Sequence, residues 1–314
     1  AVASHKTKNV LLYRQGGINF ILNMQPNSFA SSFFEKHGSS ACAMAIRVKD
    51  AEFALNRAVS LGATVHNSSV NTGELPIPAI YGVGDSLIYF VDRYKDKTIY
   101  DYDFDFFDSS KKFHAGNGLE CIDHLTNNVF QGNLEYWADF YERFLGFQEM
   151  RYFHVHGKKT GLVSKAMISP CGKIKIPINE PSEEKSQIAE FLREHNGEGI
   201  QHIALSTKDI VASVSEIEGQ GIKFLSVSSQ YYESVKDRLS YSQTEIEVLE
   251  KFKILVDGEE GENCNRLYQI FTDTLIGPIF FEIIQREGHD GFGDANFAAL
   301  FESMELEQEK RGVI

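Results

Sequence analysis

The sequence lacks the features that mark membrane, secreted and nucleic-acid-binding proteins. No run of about eighteen consecutive apolar residues occurs, so no membrane-spanning helix is predicted. The first residues, AVASHKTKN, contain no apolar core of a signal peptide. Acidic residues outnumber basic ones, 44 Asp and Glu against 31 Lys and Arg. The formal net charge of −13 therefore argues against nucleic acid and anionic lipid as partners.

Cysteines and familiar catalytic motifs are also scarce. The four cysteines form no CxxC pair, which indicates reduced packing residues in a cytoplasmic protein: Cys42, Cys121, Cys171 and Cys264. No GxGxxG, GxxxxGK[ST] or GxSxG motif occurs, so neither a nucleotide site nor a nucleophile elbow is predicted. With 314 residues, 42% of them apolar, the chain is expected to form two domains or one large one.

What the sequence does contain is an internal repeat. Residues 41–66 align without a gap on residues 200–225, and both stretches read as a strand, an Asp-initiated helix and a closing glycine. Residues 86–93 align on 278–286 at an offset larger by about 34 residues, so the second copy carries an insertion of that length within 226–266. Its polar composition predicts a partly helical surface excursion.

The repeat predicts an α+β fold of two halves built from β-α-β modules with open, cupped sheets. A polar, glycine-containing stretch near residues 108–118 marks the boundary between them. The expected domains are residues 1–112 and 113–314.

Two histidines interrupt apolar strands of the second half. Period-two alternation places His124 on one strand face with Ile122, and His202 on one face with Ile200 and Ala204. A histidine in a strand is often a hydrogen-bonded core or edge residue. Either one alone is therefore weak support for a metal site.

A glutamate inside a third apolar strand is the strongest anomaly. Glu282 shares a strand face with Phe280 and Ile284, and burying its carboxylate is costly unless a cation or strong hydrogen bonds compensate it. Two imidazoles and one carboxylate form the facial triad suited to Fe(II). Because Glu282 can also pair with an arginine, the pattern alone leaves metal binding and packing both open. The repeat favours function, since Ala43 and Tyr89 stand at the positions of His202 and Glu282 in the first half.

The surroundings of these residues are rich in amides and aromatics. Gln269 and Phe271 alternate on one face of the strand before that of Glu282. Residues 291–313 predict an amphipathic helix that packs on the core, closes over the site, or does both. His289 is a less favoured ligand. The other histidines lie in polar segments and are predicted at the surface: His5, His37, His66, His114, His154, His156 and His195.

Ordered motifs over nearly the whole chain resemble those of the 4-hydroxyphenylpyruvate dioxygenase family, within the vicinal-oxygen-chelate superfamily. They are IDHLTNNV, GLVSKAM, IPINEP, GEGIQHIAL, LYQIFT, GPIFFEIIQR and GFGDANFAALFESM. The resemblance implies tandem βαβββ modules forming two open-barrel halves, with a C-terminal helix gating the site. It also implies that the first domain is without metal and lacks the family's first strand and helix.

The resemblance further implies Fe(II) held by His124, His202 and Glu282, with catalytic roles for Gln201 and Gln269. It places the following residues around the substrate: Ser164, Pro177, Asn179, Gln187, Gln201, Phe271, Phe280, Phe292, Asn296, Phe297 and Phe301. The implied reaction converts 4-hydroxyphenylpyruvate and O₂ to homogentisate and CO₂ in tyrosine and phenylalanine catabolism, in a homodimer or homotetramer. A hydroxymandelate synthase, an extradiol catechol dioxygenase and a non-catalytic binding protein of the same fold are the alternatives.

Overall fold

The computed structural model describes residues 1–67, 70–108, 116–156, 160–260 and 264–312. The strands in chain order are β1 (Ala3–His5), β2 (Val10–Gln15), β3 (Ile18–Asn23), β4 (Ala43–Arg47), β5 (Val65–His66), β6 (Ala79–Tyr81), β7 (Leu87–Val91), β8 (Phe104–Phe106), β9 (Leu119–Asn128), β10 (Gln148–His156), β11 (Gly161–Ile168), β12 (Lys175–Pro181), β13 (Gly199–Thr207), β14 (Leu255–Glu259), β15 (Asn265–Phe271) and β16 (Phe280–Glu287). The helices are α1 (Phe29–His37), α2 (Ala51–Ser60), α3 (Ile99–Asp103), α4 (Leu134–Leu145), α5 (Gln187–Glu194), α6 (Ile210–Gly219), α7 (Ser229–Arg238), α8 (Gln243–Lys251) and α9 (Asp294–Lys310), with a 3₁₀ turn at Val83–Asp85.

The strands of the two halves lie in different sheets. Strands β9 to β16 form one eight-stranded sheet in the order β10-β11-β12-β9-β13-β16-β15-β14. The earlier strands form two four-stranded sheets, in the orders β3-β2-β1-β8 and β4-β7-β6-β5. Helices connect several of the strands, which confirms the predicted α+β class. The predicted boundary near residues 108–118 lies largely outside the described residues, because 109–115 are not among them.

The register of the strands confirms the internal repeat. Strands β4 and β7 pair in parallel with Ala43 opposite Leu87, and β13 and β16 pair in parallel with His202 opposite Phe280. The alignment of the two copies relates each of these residues to its counterpart in the other pair. Helices α2 and α6 begin at the predicted caps, since Asp50 and Asp209 each accept a backbone N–H of their helix.

The insertion in the second copy is partly helical, as predicted, but the prediction that it is a surface excursion was wrong. It forms α7, α8 and β14, and β14 is the edge strand of the eight-stranded sheet. Apolar residues at helical spacing pack into the largest hydrophobic core: Tyr232, Val235, Ile246 and Leu249. The charged residues between them gave the segment a polar average composition, which concealed the buried faces of both helices.

The two halves share a second hydrophobic core. Residues of the first half, among them Ile46 and Phe90, pack with Val129, Tyr141 and Ile178 of the second half. This shared core packs residues of the first half against β11 and β12 of the large sheet, through Met167, Ile176 and Ile178. Within the part of the chain that the structure describes, no helix has the length and apolarity needed to span a membrane.

Candidate metal centre

The three anomalous residues lie on neighbouring strands at the centre of the large sheet. His124 on β9 and Glu282 on β16 are both paired with Ala204 of β13, and His202 lies two residues before that alanine. Nε2 of His124 is 3.3 Å from Oε2 of Glu282, and Nε2 of His202 is 3.6 Å from the same oxygen. Ligand atoms of all three residues lie within 4.8 Å of one another. The strand register therefore brings the predicted ligands together.

β-bulges set the direction of the two histidines. Where β9 pairs with β13, neither Asp123 on β9 nor Gln201 on β13 has a partner residue opposite it. An extra residue shifts the alternation of side chains, so that neighbours along the chain no longer point to opposite faces. The predictions that His124 shares a face with Ile122, and His202 with Ile200, were therefore wrong. The prediction for Glu282 was right, because β16 carries no such shift.

Each bulged residue binds the histidine that follows it. Oδ1 of Asp123 lies 2.8 Å from Nδ1 of His124, and Oε1 of Gln201 lies 3.0 Å from Nδ1 of His202. Both oxygens accept a hydrogen bond, so both Nδ1 atoms donate and each Nε2 is the ring atom left facing Glu282, from which it could coordinate a metal. Arg286 in turn holds Asp123 through two hydrogen bonds of 2.8 Å. This arrangement orients the ligands from behind, as metal-binding histidines require.

The electrostatics of the group favour a cation at its centre. Burial alone would lower the pKa of His124, but the carboxylates of Glu282 and Asp123 outweigh it and raise that pKa to about 9. Burial also opposes ionisation of Asp123, yet hydrogen bonds from Arg286 and His124 keep its pKa far below the usual value. Glu282 is 1% exposed. A metal ion bound here would take the place of the proton on His124, and a buried carboxylate facing two imidazole nitrogens fits a divalent metal ion.

Amide and aromatic side chains surround the triad. Nε2 of Gln269 donates to Oε1 of Glu282 at 2.9 Å and to the carbonyl of Phe292 at 3.0 Å. The ring of Phe280 stacks on His202 at 4.8 Å, and the ring of Phe292 meets the edge of His124 at 5.2 Å. Gln269, Phe280 and Phe292 therefore lie beside the triad, and their roles toward substrate stay predictions.

Residues predicted to bind substrate share the face of the triad. On β11 and β12, Ser164 is paired with Asn179, and Pro177 lies two residues before that asparagine. Asn179 is in turn paired with Asn128 of β9, four residues beyond His124 on the same strand. Because paired residues point to one side of a sheet, these polar groups form a continuous row with the ligands.

Two buried polar atoms in this region have no hydrogen-bond partner among the described residues. They are Nδ2 of Asn128 and Oε1 of Gln187, the first residue of α5. One is a donor and the other an acceptor, as a phenolic hydroxyl requires. Buried polar atoms without partners are uncommon, and a bound ligand is one explanation for them.

Of the remaining predicted residues, Phe297 and Phe301 lie in a hydrophobic cluster beside α5, whereas Phe271 is paired with Glu282 on the neighbouring strand. Phe301 of α9 packs in a small core with Leu162 and Phe191, and Phe297 contacts Phe153 at 5.1 Å. Phe271 packs with Phe280 at 6.2 Å. Gln201 was predicted to contact the substrate ring, but its oxygen is hydrogen-bonded to His202. Helix α9 therefore packs on the core next to the site.

The sequence interpretation overlooked several residues of the site. Thr126 lies two residues after His124 on the same strand, and its Oγ1 is 2.9 Å from Nε2 of His202. Strand alternation could have identified it. Asp123 and Arg286 could not be paired without the fold, since they lie 163 residues apart.

The structure also locates most of the histidines that were not favoured as ligands. The ring of His289 accepts a hydrogen bond from the backbone of Gly291 and is not among the clustered ligands of the described residues. His37 and His195 were predicted at the surface but are buried, and their rings stack at 4.5 Å. His114 and the side chain of His156 lie outside the described residues.

Two family models match the chain. Residues 1–105 match the N-terminal domain of hydroxyphenylpyruvate dioxygenase, and residues 121–237 match the glyoxalase, bleomycin resistance protein and dioxygenase superfamily. A solved triple mutant of 4-hydroxymandelate synthase from Streptomyces coelicolor superposes with a TM-score of 0.83 at 26% identity, over 95% of this chain and 87% of that one.

Two curated relatives are closer in sequence. Hemolysin VllY of Vibrio vulnificus is 52% identical over 100% of this chain and 88% of its own length. The 4-hydroxyphenylpyruvate dioxygenase of Pseudomonas aeruginosa is 52% identical over 99% of this chain and 87% of its own length. Identity at this level over nearly the full length of both proteins reflects common descent, and the chain belongs to the 4-hydroxyphenylpyruvate dioxygenase family.

Proposed function

We propose that this chain is an Fe(II)-dependent dioxygenase that converts 4-hydroxyphenylpyruvate and O₂ to homogentisate and CO₂. The observation that carries the proposal is the buried group of His124, His202 and Glu282, with both Nδ1 atoms held from behind. Two imidazoles and one carboxylate occupy one side of a metal and leave positions open for substrate and O₂. The family relationship supplies the substrate class.

Fe(II) held by these three residues would bind the 2-oxo acid and O₂ and supply the oxidising chemistry. The protein holds the ligands and orients the substrate. Gln269 binds Oε1 of Glu282 and leaves Oε2 facing both histidines. At the other end of the polar row, Asn128 and Gln187 offer the phenol a donor and an acceptor that bond to no described residue, beside Ser164 and Asn179. The aromatic ring of the substrate would then lie between the three metal ligands and this polar end of the row.

Water must be kept from the metal during oxidation, and helix α9 is placed to do this. Asn296 of its first turn is buried and hydrogen-bonded to Gln269, while Phe301 packs against α5. Movement of the helix would open a route to the triad. We therefore propose that α9 gates access to the triad, as the family resemblance implies.

The proposal includes two domains, residues 1–112 without metal and residues 113–314 with it. Its support is that every strand of the eight-stranded sheet follows residue 118. It also includes a cytoplasmic location, supported by four free cysteines. A homodimer or homotetramer is supported by exposed apolar residues on β3, namely Ile21 and Leu22.

A 4-hydroxymandelate synthase is the second candidate, favoured by the structural likeness to that enzyme. It would use the same substrate and ligands but hydroxylate the benzylic carbon. The higher identity to a 4-hydroxyphenylpyruvate dioxygenase favours ring hydroxylation. Retention of all three ligands argues against a non-catalytic binding protein.

The test is an oxygen-electrode assay of metal-free protein loaded anaerobically with Fe(II) and supplied with 4-hydroxyphenylpyruvate. We expect O₂ consumption equal to substrate loss, with homogentisate identified by chromatography and mass. Protein loaded with Zn(II) is the matched control, because Zn(II) fits the ligands without redox chemistry. Formation of 4-hydroxymandelate would establish the second candidate. Absence of turnover despite bound Fe(II) would refute both.

A further inference from the structure

A chain of hydrogen bonds connects the inserted helix α7 to the metal-ligand glutamate. Nε2 of Gln269 donates to Oε1 of Glu282 at 2.9 Å, and Nδ2 of Asn296 donates to Oε1 of Gln269 at 2.8 Å. The hydroxyl of Tyr231 completes the chain by donating to Oδ1 of Asn296 at 2.8 Å. The side chains of Glu282, Gln269 and Asn296 are all buried. This chain spans four elements: α7, α9, β15 and β16.

The chain has a direction that matters for Glu282. An amide has one donating and one accepting end, so reversing Asn296 would reverse Gln269 and turn its oxygen toward the carboxylate. The carboxylate excludes that reversed state by repulsion. In the state that remains, Oδ1 of Asn296 faces Tyr231 and needs a donor there. The backbone N–H of Val256 donates to the Tyr231 oxygen at 2.7 Å, and the hydroxyl proton of Tyr231 is shared between Oδ1 of Asn296 at 2.8 Å and the carbonyl oxygen of Val256 at 2.9 Å. Tyr231 is thus the donor that faces Asn296.

The two oxygens of Glu282 consequently have different roles. Oε1 accepts the hydrogen bond from Gln269, while Oε2 lies 3.3 Å and 3.6 Å from the Nε2 atoms of the two histidines. Anything that frees Gln269 also frees the carboxylate to rotate. Hydrogen-bond partners of metal ligands typically change metal affinity by about ten- to a hundredfold when removed.

Helix α7 belongs to the segment that the first half lacks. The first half also lacks the ligands, with Ala43 and Tyr89 in place of His202 and Glu282. The insertion and the metal group thus occur together in one copy of the repeat. Tyr232, the next residue of α7, has a buried hydroxyl with no partner among the described residues. It offers a matched comparison on the same helix.

We propose that Tyr231 is a positioning residue, which acts through Asn296 and Gln269 to hold Glu282 in the orientation that binds the metal. This inference rests on the proposed function for the identity of the metal ligands. It extends that function by assigning the inserted helix a role in metal affinity.

The experiment measures Co(II) binding to metal-free protein by calorimetry, and the visible absorption of bound Co(II), without substrate. We expect Tyr231→Phe to raise the Kd for Co(II) by about three- to tenfold and to shift the absorption bands. Tyr232→Phe should leave both unchanged. Asn296→Asp keeps the acceptor for Tyr231 but removes the donor to Gln269, so it should also raise the Kd.

A double-mutant cycle with Gln269→Leu tests the route of the effect. If Tyr231 acts through Gln269, adding Tyr231→Phe to Gln269→Leu should change the Kd by less than about twofold. An equal effect in both backgrounds, or an equal effect of Tyr232→Phe, would overturn the proposal. Should Tyr231→Phe not fold, an unchanged Kd in Asn296→Asp would overturn it as well. Product formation by the wild type reports separately on the proposed function.

Discussion

Oγ1 of Thr126 lies 2.9 Å from Nε2 of His202, the nitrogen that faces Glu282. Because Nδ1 of this histidine donates to Gln201, Nε2 is an acceptor and the threonine hydroxyl is its donor. A metal ion needs the same lone pair. Thr126 therefore competes with the metal for His202.

Thr126→Val should tighten metal binding. The substitution removes a hydrogen bond that must break when the metal binds, and such a bond contributes about 1 kcal/mol, which corresponds to a roughly fivefold lower Kd. Calorimetry with Co(II) measures the change. Thr207→Val is the control, because the Thr207 hydroxyl is also buried in the sheet but bonds to Ser213 instead. A higher Kd in Thr126→Val would contradict this account.

Gln201→Leu should weaken metal binding rather than only substrate binding. Its oxygen is the acceptor that holds Nδ1 of His202. Without it, the ring is free to rotate or to change tautomer, and we expect the Co(II) Kd to rise by about tenfold or more. If Gln201 instead served only the substrate, the metal Kd would be unchanged and only KM would rise. Gln187 lies at the polar end and has a buried amide oxygen, so Gln187→Leu should raise KM and leave the metal Kd unchanged.

His202→Ala should abolish both iron retention and O₂ uptake with 4-hydroxyphenylpyruvate. One of three ligands is lost, and the remaining pair does not form a facial triad. Metal content after anaerobic loading and desalting measures retention. His289→Ala is the control and should keep its iron, since the His289 ring bonds only to the backbone of Gly291 among the described residues. Full activity in His202→Ala would refute the site.

The buried His195 should make stability depend on pH. Burial lowers its pKa to about 4, a shift reinforced by the positive potential of His37 and Lys36. The unfolded chain then binds a proton between pH 6.5 and 4 that the folded chain excludes, so stability falls as pH decreases through that window. Urea unfolding at pH 7.5 and 5 should show a smaller loss for His195→Gln than for the wild type. Equal losses would contradict the role of His195.

The ligands themselves were predictable because each violates the apolar pattern of its own strand. Glu282 is flanked on both sides by apolar residues, and the counterparts of His202 and Glu282 in the repeat are not ligands. These are local properties of the chain. The repeat did not itself predict which strands pair; the structure shows that β13 and β16 pair in parallel in the same register as β4 and β7.

What could not be predicted depends on contacts distant in sequence or on irregular pairing. Period-two alternation assumes one residue opposite one residue, so the extra residues Asp123 and Gln201 reversed the faces assigned to Ile122 and Ile200. Tyr231 is hydrogen-bonded to Asn296, which lies 65 residues later in the sequence, and no local pattern predicts this hydrogen bond. The buried faces of α7 and α8 were concealed by the polar residues between their apolar positions.

The bulges have a consequence for how this kind of site is encoded. In a regular strand a residue and its successor serve opposite sides, so a ligand and the group that orients it must come from separate segments. Here each of the dipeptides Asp123-His124 and Gln201-His202 supplies a ligand together with the group that orients it. Each dipeptide can therefore be inherited, lost or transplanted as one unit. Grafting such a metal group onto another sheet would require two short insertions rather than four independent substitutions.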